Sequence, residues 1–266
     1  MLNWHKDMES TNRFKEQYCE NKIKVAGVKI CINYPGKLLA DLYKDYQDSF
    51  DVPDIRVVVS EKEIEDQRAD RNGTDNGLFN DSVLVWYNDI PQLTNIVLRK
   101  IANYMPYFNT VLMHGAVVAK NNSAYMFMAP SGTGKTTRVK LWLKEYEDSI
   151  VINGDKPFII IKDTCAMACG SPWCGKEGWN TNKVVPLRAI FLLERANEFE
   201  ESRIEEISIA RAFPTLLQQT YRPKDINTMR MTLTLLKSLQ GKVKFYHFYS
   251  KPTIESIRLA HEISKP

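Results

Sequence analysis

The sequence predicts an α/β fold on a mixed sheet: a P-loop core whose phosphate loop is fed by a β-hairpin, preceded by a smaller strand-rich subdomain. Three observations carry this. Ala129-Pro-Ser-Gly-Thr-Gly-Lys-Thr136 matches G-x-x-x-x-G-K-[ST] everywhere except its first residue. Two apolar runs, VLMHGAVVAK and SAYMFMAP, flank Asn121-Asn122, and asparagine tolerates the positive φ of a tight hairpin turn. Strands and helices then mix without the steady alternation of a doubly wound sheet.

Composition narrows the classes. A chain of 266 residues is long enough for one large or two small domains, and the expected division is 1–105, an N-terminal α+β subdomain for substrate or partner recognition, and 106–266, the catalytic domain. Thirty-six basic against 32 acidic residues give +4, too mild to indicate a nucleic-acid partner. No apolar run reaches membrane-span length, and the polar start MLNWHKDMES does not read as a signal peptide. No membrane association and a cytoplasmic location are therefore expected. Cys19, Cys31, Cys165, Cys169 and Cys174 are an odd set, which argues against a disulfide framework, and C-x3-C-x4-C without a nearby histidine is not a zinc spacing.

In chain order, KIKVAGVKICIN, DIRVVVS and SVLVWYND read as strands, and EKEIEDQRADRNGTDNG as a polar loop or insertion. Asp89 fits a helix N-cap, with Pro91 in the first turn and Leu93, Ile96, Val97 and Tyr104 on one face. If Asn121-Asn122 is the turn, Lys120 pairs with Ser123, and equal steps bring His114 opposite Ala129. Beyond the loop, Val139, Trp142, Leu143 and Tyr146 mark the core face of a helix starting near Lys135. SIVIN leads into the turn Gly154-Asp155-Lys156, and PFIII leaves it. CAMACGSPW and VVPLRAIFLLE are expected strands, and ERANEFEESRIEE a solvated helix or loop. Helices are expected near IARAFPTLLQQT and DINTMRMTLTLLKSLQ, then the strand KVKFYHFYS and a last helix capped by Thr253.

The loop has the chemistry of an anion cradle. Backbone N–H groups across Ser131, Gly132, Thr133, Gly134, Lys135 and Thr136 can turn towards phosphate oxygens, and the following helix points its positive end at the same place. Lys135 suits the β and γ phosphates, the Thr136 hydroxyl a Mg²⁺ ion, and Thr137 the α phosphate. Ala129 stands at the strand exit, before the wrap, so the missing first glycine alters the entrance more than the cradle. ATP with Mg²⁺ is the expected cofactor pair; pyrophosphate would fit the same cradle.

APSGTGKTT behind a hairpin, preceded by His114-Gly115, resembles the HPr kinase and ATP-dependent phosphoenolpyruvate carboxykinase superfamily, and most nearly the HPr-kinase-like proteins encoded beside peptide-modifying enzymes. The likeness runs over roughly residues 110 to 195. It implies that His114 lies beside a catalytic carboxylate, that Lys135 and Thr136 serve phosphate and Mg²⁺, and that Asp155 is the acidic residue acting as base, metal ligand or both. HPr kinases commonly carry two consecutive aspartates there, whereas this chain has Gly154-Asp155. Lys176, in a bendable loop between Gly175 and Gly178, is a candidate to fold over the phosphates or the acceptor, with Arg188 as an alternative. The implied activity is transfer of a phosphoryl group to a hydroxyl, with a serine of a peptide or protein as expected partner. A small-molecule hydroxyl kinase, a carboxykinase-like enzyme and a non-catalytic nucleotide-binding module stay open, as does assembly into a homo-oligomer.

Overall fold

KIKVAGVKICIN folds as a hairpin, not one strand: β1 (Tyr18–Val25) and β2 (Val28–Pro35) pair antiparallel around Ala26-Gly27, both at positive φ. In this computed structural model the structure describes residues 18–35, 39, 41–70, 90–196 and 202–265. Strand β3 (Ile55–Val58) adds parallel to β2 and completes a three-stranded sheet. The polar run after it is a correction to expectation, because Glu61–Asp70 is a helix, α1. Its signal was local: the Ser60 side chain accepts from Glu63 N–H at 3.3 Å while the Glu63 carboxylate accepts from Ser60 N–H at 2.9 Å, a reciprocal cap that starts a helix even in a charged sequence. The rest of that run, the expected strand SVLVWYND and the Asp89 cap lie outside the described residues. Helix α2 (Ile90–Tyr104) buries Leu93, Ile96 and Val97, as its spacing predicts.

The larger sheet is mixed and curled. Its strands are β4 (Thr110–Leu112), β5 (Ala116–Lys120), β6 (Ser123–Met128), β7 (Ile150–Asn153), β8 (Phe158–Ile161), β9 (Ala166–Cys169), β10 (Val184–Arg195), β11 (Arg203–Ile207) and β12 (Lys244–Ser250). The order is β4-β8-β9-β10-β6-β5-β7, with β12 parallel to β10 and β11 antiparallel to β12. Of ERANEFEESRIEE, expected as a solvated helix or loop, 197–201 lie outside the described residues, and the described end from Arg203 is strand β11. Only Ile207 of it is deeply buried, so an edge strand carrying Glu205 and Glu206 outward has too little apolar periodicity to betray itself.

Asn121 and Asn122 both adopt positive φ, 48° and 58°, the geometry of a two-residue turn. The β5–β6 pairing runs from Lys120↔Ser123 to Ala116↔Phe127 in the expected register. It does not extend to His114 opposite Ala129, because Gly115 and His114 turn their N–H groups to Asp155 and Gln219. Alternation along β6 then divides the core. Tyr125 and Phe127 join Phe191 and Phe248 under helices α3 (Lys135–Glu145) and α6 (Ile254–Ser264). Met126 and Met128 join Ile190 and Leu192 under α4 (Ile209–Gln218) and α5 (Ile226–Lys237). A sheet covered on both faces needs strands that are apolar throughout, which is why β6 is buried at every residue. A third cluster joins Ile23, Ile30, Ile55 and Val97 with Phe158, Cys169 and Trp173. Among the described residues no helix is long and apolar enough to cross a membrane.

Candidate functional site

One end of the larger sheet collects the polar residues. Strands β6, β10 and β12 are mutually parallel, with Leu192 level with Met128 and Arg195 level with Ser250. Their carboxyl ends meet beneath the glycine-rich loop 129–134, the place where open α/β sheets leave a crevice for ligands. Strand β7 lies two positions away, antiparallel to β5 and so running with β6; Asn153 and Met126 are both level with Val117. Asp155, two residues past Asn153, therefore emerges beside the same loop.

The bond that fixes this arrangement runs along the backbone. Val117↔Asn153 continues through Gly115 N–H to Asp155 C=O at 2.9 Å and Met113 N–H to Pro157 C=O at 3.1 Å, then into Leu112↔Phe158. What reads in sequence as one apolar strand, VLMHGAVVAK, is thus two strands interrupted by His114-Gly115, facing a second interrupted pair across Asp155-Lys156. Gly115 permits the close approach: a Cβ there would lie 2.5 Å from Met126 Cε and 2.9 Å from the Phe127 carbonyl. Asn153 shapes the opposing turn, its side-chain oxygen accepting from the N–H groups of Asp155 (2.9 Å) and Lys156 (2.7 Å).

His114 and Asp155 are brought together. His114 Nε2 lies 3.2 Å from Asp155 Oδ1, while its Nδ1 sits 2.9 Å from Gln219 Oε1 and its main-chain N–H donates to the Gln219 carbonyl at 2.7 Å. The other carboxylate oxygen receives Lys156 Nζ at 2.5 Å, with the Lys156 side chain only 7% exposed. Burial alone would push the Asp155 carboxyl up. The hydrogen bond from His114, with the charge and hydrogen bond of Lys156, outweighs it and holds the group well below the usual carboxylate range. Lys156 and Gln219 were not among the expected site residues. Lysine inside a turn gives no sign of burial, and Gln219 arrives from the far end of α4, a contact separated by 105 positions.

Lys135 lies within the electrostatic reach of Asp155 and Lys156, and burial lowers its pKa. Its ammonium donates to the Ala129 carbonyl at 2.8 Å and more weakly to Pro130. Gly132 and Gly134 take positive φ, 80° and 100°, as the wrap requires. Ser131 and Thr137 are exposed, and Thr133 and Thr136 half-buried, around the start of α3. Behind the loop stand two arginines. Arg195 Nη2 donates to the Gly132 carbonyl at 2.5 Å. Arg138 is fully buried and donates to Thr133 and Gly134 carbonyls and, at 2.9 Å each, to the Ser250 carbonyl and hydroxyl. Burial, with Arg195 nearby, pulls Arg138 down to about 10.

Arg188 is not at this end. It directly precedes Ala189, which is level with Tyr125, early in β6, so it stands several residues, on the order of 10–15 Å, back from the loop. Strand polarity puts Arg195 there instead. Lys176 does lie in a segment that touches the site: Gly175, at φ 75°, is close enough that a Cβ would meet Asp155 Cβ at 3.0 Å. The Lys176 side chain is exposed and makes no ion pair among the described residues. That segment is tied down by Gly154 N–H to the Trp179 carbonyl (2.8 Å), by Tyr46 Oη to Asn180 (3.0 Å), and by Lys140 over the Trp179 ring.

No family model matches the chain, and no curated protein matches it. Among solved structures, the Hpr(Ser) kinase/phosphatase from Coxiella burnetii is similar at a TM-score of 0.28 and 10% identity, over 47% of this chain and 93% of that one. The likeness is distant, and nothing about the site rests on it.

Proposed function

We propose that the protein is a Mg²⁺-ATP-dependent phosphotransferase that moves the γ-phosphoryl group to a hydroxyl, with a serine of a peptide or protein as acceptor. The observation that supports this reading is the meeting of Lys135 and the glycine-rich loop with the His114–Asp155 pair at one end of the sheet. Main-chain N–H groups from Ser131 to Thr137 hold the phosphates, and Lys135 exchanges the Ala129 carbonyl for phosphate oxygens. A carboxylate and a hydroxyl are the oxygen donors Mg²⁺ takes, and here the two Asp155 oxygens also carry His114 and Lys156. Asp155 and Thr136 would supply the two protein oxygens. When bound, the ion would neutralise phosphate charge.

Asp155 aligns the acceptor hydroxyl and receives its proton late, if at all. A carboxylate held so far below its ordinary range is a poor proton acceptor at rest, which favours orientation and charge over general-base strength. His114, fixed at its other nitrogen by Gln219, sets the angle of the carboxylate. Lys176, exposed on the loop beside Asp155, is the cation that would fold towards the acceptor.

Labelled ATP with Mg²⁺ and peptides bearing internal or terminal serines tests the reading. Transfer should be seen with the wild type, fall about 10²-fold in Asp155→Asn, the scale of a lost positioning contact, and fall severely in Lys135→Ala, with ATP affinity largely kept in the first. Consumption of oxaloacetate without peptide labelling would move the protein to carboxykinase chemistry. Transfer only to small alcohols would change the acceptor class, and ATP binding with no turnover in any variant would leave a nucleotide-responsive module.

A further inference from the structure

Arg138 is the group for which neither the core nor the proposed chemistry yet accounts. A charged side chain with no exposure is costly unless something compensates it, and arginine does not escape by losing its proton. Here the guanidinium has four neutral acceptors, the ring of Phe248 at 5.4 Å, and a buried Nε that has no partner among the described residues. The charge that most affects it is Arg195, of the same sign. Among the described residues no carboxylate forms an ion pair with either arginine.

Their bonds fall on three consecutive carbonyls of the loop, Gly132 from Arg195 and then Thr133 and Gly134 from Arg138. Every described peptide bond is trans, so each carbonyl pulled towards the arginines turns the N–H of the next residue to the opposite side. Those N–H groups belong to Gly134 and Lys135, and to Thr133, whose N–H donates at 3.4 Å to the Pro130 carbonyl; the Gly134 carbonyl also accepts the Arg138 main-chain N–H at 3.1 Å. The arrangement both orients the donors and leaves positive charge directly behind them.

We infer that Arg138, seconded by Arg195, is a positioning residue for a polyphosphate: it holds the loop carbonyls away from the ligand and supplies buried charge that a di- or triphosphate balances, without touching it. This rests on the phosphate-binding reading of the loop. The charge contribution acts through space, so it grows with the charge of the ligand; disruption of the loop alone would weaken every phosphate ligand alike.

The test is calorimetric binding of inorganic pyrophosphate and tripolyphosphate to the full chain. Arg138→Met should weaken pyrophosphate roughly tenfold and tripolyphosphate several-fold more, as expected for one charge several ångströms away in a partly screened site. Arg138→Lys should retain most of the preference for the more highly charged ligand. Arg195→Gln, at an exposed position, should fold and shift both affinities in the same direction by less. Equal losses for both ligands in Arg138→Met, or none, would overturn the inference while leaving the phosphate site intact. If Arg138→Met does not fold, an unchanged ligand preference in Arg195→Gln together with its loss in Arg138→Lys overturns it, and the opposite pattern supports it. A wild type that binds neither ligand refutes the phosphate reading itself.

Discussion

Lys156→Met removes one half of a buried ion pair and leaves the other half in place. The Lys156 and Asp155 side chains are 7% and 17% exposed, so solvent screens their attraction little. Two unit charges about 4 Å apart attract by about 4 kcal/mol at an effective dielectric constant near 20, and stranding one member of a buried pair typically costs about 3–5 kcal/mol. Asp155 keeps the hydrogen bond from His114, which lowers the expectation to about 2–3 kcal/mol. At about 2–4 °C per kcal/mol for a chain of this class, Tm should fall by roughly 4–12 °C. Paired thermal and urea denaturation at neutral pH reads it, with Asp155→Asn and the double variant completing a cycle. The double variant should regain part of the loss, since it buries no lone charge. Single variants each within about 0.5 kcal/mol of wild type, with simple additivity, would refute the view that this pair is buried and coupled.

Acid sensitivity follows from the same carboxylate. Its folded value is depressed, so its contribution is fully present above the unfolded value of about 3.9 and is lost as pH falls through the folded value. In Lys156→Met burial regains weight, the folded value rises, and the acid-unfolding midpoint measured by circular dichroism should move to higher pH. Gly115→Ala should cost about 1–3 kcal/mol and reduce turnover, because the new Cβ meets the Phe127 carbonyl as well as a flexible methionine end; a urea midpoint equal to wild type would count against the close approach at His114. Thr253→Ala should cost about 1 kcal/mol through loss of the cap shared with Ser256, and phosphoryl transfer per folded molecule should not change.

Local grammar told most of the fold. The Asn121-Asn122 turn, the register that follows from it, the helix after the glycine-rich loop and the Thr253 cap all depend on residues within a few positions of one another, and all appear where the sequence puts them. Helix α1 was legible too, in Ser60 and Glu63, but a charged composition hid it. The site was legible as a list and not as a shape. His114 and Asp155 could be named from motif and resemblance, yet their meeting depends on β7 running with β6 on the far side of β5.

What the sequence determined by itself, then, is most of the elements around the glycine-rich loop, though not α1 or β11, since turn φ values, capping and amphipathic spacing are short-range properties of the chain. Tertiary structure alone decided which cations lie against that loop. Arg195, and not Arg188, stands at the loop because of strand direction, and Lys156 and Arg138 are buried because strands and carbonyls from distant segments close over them. Electrostatics depends on distance and solvent exposure in space, and neither quantity is written in the order of residues.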